Sequence, residues 1–151
     1  LAAGPHVGTG AWRMATVVDV QHPSPMSVVL RLRIPDRIDH LPGQHYVVRL
    51  TADDGYVEFN LSPSGQWASY RFDGYRSGMA EAGERVEVFG MDGGEALWAL
   101  EGLIELPPGA EALALSAVIE RVDGSISYWA LRHPSDKPDF HHPDSFVLDL
   151  P

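Results

Sequence analysis

Between positions 67 and 76 the aromatic residues Trp67, Tyr70 and Tyr75 are interspersed with Arg71, Asp73 and Arg76, and Trp129 adds another ring further on. Flat aromatic faces suit the apolar C–H side of a pyranose, and neighbouring guanidinium and carboxylate groups can hydrogen-bond its hydroxyls. If residues 67–72 are extended, Trp67, Ser69 and Arg71 lie on one face, and Ala68, Tyr70 and Phe72 on the other. The expected ligand-binding set is therefore Trp67, Arg71, Asp73, Tyr75, Arg76 and Trp129. The plain alternative for each ring is core packing, and for Arg71, Asp73 and Arg76 an inter-strand salt bridge.

A second group is Asp139, His141, His142 and Asp144, oxygen and imidazole donors of metal-compatible type. Adjacent histidines in an extended chain point oppositely, and Pro138 and Pro143 restrict the turn. A structural loop is the expected outcome, with no metal, at least one histidine bonded to backbone, and Phe140 buried beneath as its apolar anchor. Haem ligation would need an axial His or Met in a dry pocket, and nothing marks one among Met14, Met26, Met79 and Met91. Glu58 and Glu120 form a carboxylate pair for glycoside hydrolysis only if they stand about 5–10 Å apart. Ser62 and Ser64 are turn formers with no adjacent base, so no catalytic residue is expected.

The scaffold for these groups is bounded by composition. The chain has 151 residues, enough for one domain with a sizeable core. Its net charge of −10, with no Lys/Arg cluster, argues against nucleic acid and anionic membrane partners. With no cysteine there is neither a disulfide framework nor a thiolate site, which favours a cytoplasmic setting. No apolar run approaches the about 20 residues of a membrane span. Leu1-Ala2-Ala3-Gly4-Pro5 does not start a basic-then-apolar leader, so no secretory signal is expected.

The 15 glycines and 12 prolines punctuate short, alternating strands. Strands are expected at 12–20, 27–34, 45–51, 56–61, 66–72, 85–89, 96–106, 112–120, 125–131 and 146–150. Asp53-Asp54-Gly55 and Asp123-Gly124 mark hairpins. Residues 1–11 read as a flexible arm and 73–82 as the one place for a short helical turn. The fold class expected is all-β: an antiparallel sandwich or partly open barrel of about ten short strands, one domain over residues 12–151.

Two resemblances overlay this pattern. Trp12-Arg13-Met14-Ala15-Thr16-Val17, Ser27-Val28-Val29-Leu30-Arg31-Leu32 and Leu41-Pro42-Gly43-Gln44-His45-Tyr46 resemble the start of the FAD-binding barrel of ferredoxin-reductase-like oxidoreductases, over residues 10–56. That family next carries an Arg-x-Tyr-Ser motif for the flavin. Here the place reads Val57-Glu58-Phe59-Asn60-Leu61-Ser62, with a carboxylate where phosphate needs a cation. Residues 57–151 resemble bacterial DOMON-like proteins, relatives of family 9 carbohydrate-binding modules. The carrying runs are Glu58-Phe59-Asn60-Leu61-Ser62-Pro63-Ser64-Gly65-Gln66-Trp67, Tyr70-Arg71-Phe72-Asp73-Gly74-Tyr75-Arg76, Ser127-Tyr128-Trp129-Ala130-Leu131, and His133-Pro134 with Pro138-Asp139-Phe140-His141-His142-Pro143.

The two resemblances meet near Tyr56-Val57, as in a natural fusion, a recombination or a chimera. The second implies a non-catalytic small-ligand module, carbohydrate being its ligand class, without cofactor. The alternatives are an FAD-binding fragment of an oxidoreductase and a recombined domain that retains no function.

Overall fold

The computed structural model describes residues 11–14, 16–24, 27–33, 45–92, 98–120 and 123–150, and the side chains of 16–21, 45–89, 100–120 and 123–150. Twelve strands run through the described residues: β1 (Ala11–Met14), β2 (Thr16–Ser24), β3 (Ser27–Arg33), β4 (His45–Thr51), β5 (Tyr56–Leu61), β6 (Trp67–Phe72), β7 (Ala80–Glu81), β8 (Val86–Asp92), β9 (Trp98–Ile104), β10 (Ala112–Glu120), β11 (Ile126–Ala130) and β12 (Leu148–Asp149). The only helical element among them is a 3-10 turn at Pro143–Ser145. The main sheet runs β1-β11-β10-β4-β5-β6-β7, with β12 joining β10, and β2-β3 and β8-β9 form separate two-stranded sheets. Its outer strands β1 and β7 do not meet, so the sheet is open and the fold all-β. Every pairing is antiparallel except β1 with β11, which is parallel.

The heart of the sheet is the β4-β5 hairpin. Gly55 turns it at φ +88°, and Ala52 N–H donates to the Gly55 carbonyl at 3.1 Å. That turn sets the register, pairing Thr51 with Tyr56, Arg49 with Glu58 and Val47 with Asn60. Because side chains alternate, the pairs sort onto two faces. Val48, Leu50, Val57, Phe59 and Leu61 join Val86 and Leu113 in one buried cluster. Leu100, Ile104 and Leu106 pack against that cluster, which seats the β8-β9 hairpin over this face as a second layer. The cluster draws on residues from both sides of the 56–57 position.

The opposite face carries Arg49, Tyr56, Glu58, Asn60 and Ser116, and the segment 139–146 reaches it (below). Two local expectations are corrected. Residues 73–82 hold no helical turn: Ser77 N–H donates to the Gly74 carbonyl at 3.2 Å in a tight reversal, and Ala80 and Glu81 return as β7 against β6. The strand expected over 12–20 is two strands in different sheets, β1 and β2. Alternation cannot see that change of partner, since both pieces are extended. The arm expected at 1–11 and the Pro42-Gly43-Gln44 turn lie outside the described residues, apart from Ala11, which begins β1.

Candidate functional site

On the polar face Arg49 is only 3% exposed. Its Nε donates to Glu58 Oε2 at 2.8 Å, Nη2 lies 2.7 Å from the same oxygen, and Nη1 donates to Ser116 Oγ at 3.2 Å. Asn60 Nδ2 donates to the other Glu58 oxygen at 2.9 Å. The guanidinium also lies 5.8 Å from the centre of the Phe140 ring, a cation–π distance. Burial pulls the Arg49 pKa below the ordinary guanidinium value, while Glu58 pulls it back up.

Beside this pair stands an aromatic box. Tyr56 stacks on Phe72 with ring centres 4.8 Å apart, and His141 meets Phe72 edge-on at 5.4 Å. The Tyr56 hydroxyl and His141 Nδ1 share a hydrogen bond of 2.7 Å, and the same nitrogen lies 3.9 Å from Glu58 Oε2. Burial raises the Tyr56 pKa and lowers that of His141, and for His141 the Arg49 charge lowers it further.

The turn at 74–77 and the segment 139–146 are clasped by one carboxylate. Asp139 Oδ2 accepts the Tyr75 hydroxyl, Oδ1 accepts Arg76 Nη2 at 3.1 Å, and Oδ1 also accepts the His141 backbone N–H at 3.3 Å. Burial acts to raise the Asp139 pKa, but the bonds from Tyr75 and Arg76 and the Arg76 charge outweigh it, leaving it below the usual carboxylate value. The hydrogen bond to Asp139, above all, raises the Tyr75 pKa. Arg76 adopts φ +52°, a conformation non-glycine residues rarely take, and its guanidinium lies 5.6 Å from the Tyr75 ring centre. Tyr75 is 52% exposed, with the His142 ring edge-on to its own at 6.5 Å. The product is a fixed, solvent-facing ring flanked by a guanidinium, a carboxylate and an imidazole.

Of the six residues expected to bind ligand, Tyr75 and Arg76 come together here. Asp73 is exposed, and its carboxylate lies over Gly78. Arg71 points to the other face and pairs with Glu84. Together they line an open depression of about 340 Å³ with Gly83, Glu105, Leu106 and Pro108. Trp67 (43% exposed) and Trp129 (3%) share one register row, running through Leu61, Tyr46 and Ala117, but at opposite ends of it. Four strand steps separate them by about 19 Å. Trp129 packs with Ala117, Ile119 and Tyr46, and its Nε1 donates to Ser127 Oγ at 3.1 Å. It is a core side chain. A shared stacking face with Trp67 is not formed, because the expectation rested on residue type without a strand order.

Glu58 and Glu120 also stand apart. Both belong to the same set of alternating positions, yet Glu120 is six residues along β10 from Ala114, the residue in register with Arg49 and Glu58, or roughly 20 Å away. Asp139, His141, His142 and Asp144 diverge: His142 Nδ1 accepts the Asp144 backbone N–H at 3.1 Å and starts the 3-10 turn. Among the described residues no three His, Asp or Glu side chains converge as metal ligands. Ser62 and Ser64 hydroxyls bond each other at 2.8 Å within their turn. Met79 is 66% exposed, and the other methionine side chains lie outside those described.

Sequence reasoning passed over Arg49 and Ser116. The signal for Arg49 was present, since a cation between Val48 and Leu50 in an apolar strand lies opposite Glu58 once the Asp-Gly turn fixes the register. Ser116 gave none, because its role depends on β10 pairing with β4 across a long span of chain. No family model, curated protein or solved structure matches the chain. Among the described residues no helix is long and apolar enough to cross a membrane.

Proposed function

We propose that the chain is a non-catalytic binding module for a small polyhydroxylated ligand of carbohydrate type, contacted by Tyr75, Arg76, Asp139 and His142. The observation that carries this reading is the Tyr75–Asp139 bond, which immobilises a half-exposed ring before any ligand arrives. Pre-organised aromatic faces lower the ordering cost of binding, and the flanking charged groups offer both donors and acceptors to hydroxyls. The resemblance of residues 57–151 to DOMON-like proteins and family 9 carbohydrate-binding modules supports the same class of ligand. A cytoplasmic setting belongs to the proposal and rests on the cysteine-free composition.

Calorimetric titration of the whole chain with a panel of mono- and disaccharides tests it. Binding is expected, with Tyr75→Ala weakening it about tenfold or more, which is about 1.4 kcal/mol. No heat with any sugar, or an unchanged affinity in Tyr75→Ala, overturns the reading. Flavin absorbance near roughly 450 nm in the purified protein would point instead to a flavin protein.

A further inference from the structure

We propose that His141 is an acid-released latch: its neutral ring holds residues 139–146 on the polar face of the sheet, and protonation lets that segment go. The proposal deepens the ligand-site reading by giving it a regulator, and its ligand arm rests on that reading.

The geometry is that of a ring built in neutral form. His141 lies against the stacked pair of Phe72 from β6 and Tyr56 from β5, and the nearest carboxylate oxygen, Glu58 Oε2, stands 3.9 Å from its Nδ1. The groups facing it are Arg49 from β4, Glu58 and Tyr56 from β5, Arg76 from the 74–77 turn, and Asp139 from its own segment. Both anions are already committed. Glu58 faces the Arg49 guanidinium at 2.7 Å and the Asn60 amide at 2.9 Å, and Asp139 holds Tyr75 and Arg76. A proton on this half-buried ring would therefore add a third cation beside two guanidiniums.

The hydrogen bond to Tyr56 points the same way. We assign the phenol as donor and Nδ1 as acceptor. The Arg76 backbone acts on the phenol as a donor, lowering its pKa against the larger effect of burial. Protonation turns Nδ1 into a donor, so the phenol hydrogen must leave the bond and find another acceptor among side chains that are already paired.

The sign follows from burial. A histidine whose folded pKa lies below the unfolded value of about 6.5 contributes stability that is complete above that pH and is lost as pH falls through the folded pKa. The Asp139 pKa moves away from that of a free imidazole, to below the ordinary carboxylate value. Loss of the segment in mild acid is assigned to His141 by the His141→Gln variant below, because His142 Nδ1 also accepts a bond within it, from the Asp144 N–H. It would carry Asp139 away from Tyr75 and Arg76, and so dismantle the ligand platform.

The test is nuclear magnetic resonance on the intact wild-type chain, following the assigned His141 ring signals with pH alongside amide exchange corrected for its intrinsic pH dependence. The expected midpoint lies below about 6.5, and protection of amides in 140–146 is lost through the same midpoint while β4-β5 amides stay protected. A midpoint at or above that value overturns the latch, as does a segment that stays protected through it. His141→Gln, which accepts a hydrogen bond but cannot charge, is expected to keep the segment protected from pH 7 to 5; an unchanged acid opening overturns the proposal. Should that variant not fold, the wild-type titration decides alone. Sugar titrations at pH 7 and pH 5 separate the two readings. Binding at pH 7 that fails at pH 5 supports the coupling, equal binding at both overturns it, and no binding at either pH removes the ligand reading, leaving the latch to the resonance data.

Discussion

Arg49 and Glu58 face each other across the β4-β5 pair, and Nε and Nη2 of the arginine both reach the same carboxylate oxygen, at 2.8 and 2.7 Å. Neither charge is accessible to water in any quantity, so each is tolerated because of the other. The pair fixes the polar face in one arrangement: Asn60 and Ser116 bond outward from it, and Phe140 lies over it.

Glu58→Leu should therefore cost about 3–5 kcal/mol, since it leaves a buried guanidinium without its partner. The double variant Arg49→Met with Glu58→Leu should cost clearly less than the sum of the two single changes. Urea denaturation of all three proteins measures this, and additive losses would show that the pair is not coupled.

The two tryptophans of the shared register row should respond oppositely to truncation. Trp129→Ala opens a cavity in the core and should cost about 3–5 kcal/mol. Trp67→Ala, at a site already 43% exposed, should cost no more than about 1 kcal/mol. With about 19 Å between them the losses should add in the double variant. Thermal melts compare the three; a larger loss at Trp67 would contradict the assignment of Trp129 to the core.

Phe140 is half-buried, lying against Arg49, Tyr128 and His133 instead of deep apolar packing. The sequence expectation of full burial is corrected accordingly. Phe140→Ala should cost about 2 kcal/mol, combining partial burial with a cation–π contact. His142→Ala should cost about 1 kcal/mol, through the lost bond to the Asp144 N–H. Denaturant midpoints for both variants, with and without EDTA, check the values, and a chelator-dependent midpoint would indicate a metal in the loop.

How far the sequence could be read depends on whether a property is local. Strand bounds at 45–51, 56–61 and 112–120 match the structure because alternation and turn residues state them within a few positions. The Arg71-Asp73-Arg76 cluster failed as a unit for a local reason too: Arg71 lies in a strand and faces one side, while Arg76 lies within a chain reversal and faces Asp139. Asp139 and Tyr75 lie 64 positions apart, and their meeting depends on the order of strands between them. Neither composition nor periodicity encodes that order. Residue type did flag both, Tyr75 as a stacking ring and Asp139 as a donor in the His/Asp loop, but in separate hypotheses.

Two glycines with similar backbone angles should differ sharply on substitution. Gly55 and Gly124 sit at φ +88° and +79°. A Cβ at Gly55 would lie 1.9 Å from the Phe72 carbonyl oxygen, while one at Gly124 meets nothing within 4 Å. Gly124→Ala should thus cost only the left-handed backbone penalty of about 1–2 kcal/mol. Gly55→Ala should lose more, because the β5-β6 edge must move. Melting temperatures of the two variants decide it, and equal losses would mean the close approach is relieved cheaply.

The parallel pairing of β1 with β11 carries a cost in time. Ala11 finds its partner in Ser127, so β1 waits until β11 has been synthesised. β4 waits a shorter span for β10, whose pairing runs from Leu50 with Leu113 to His45 with Val118. Until then, the edges of the early strands stand open to any extended neighbour, including another nascent copy. Contacts this distant in sequence slow folding and prolong exposure of such edges. β1 is stitched into the sheet only when β11 arrives, and the newborn chain is most at risk of clumping before then.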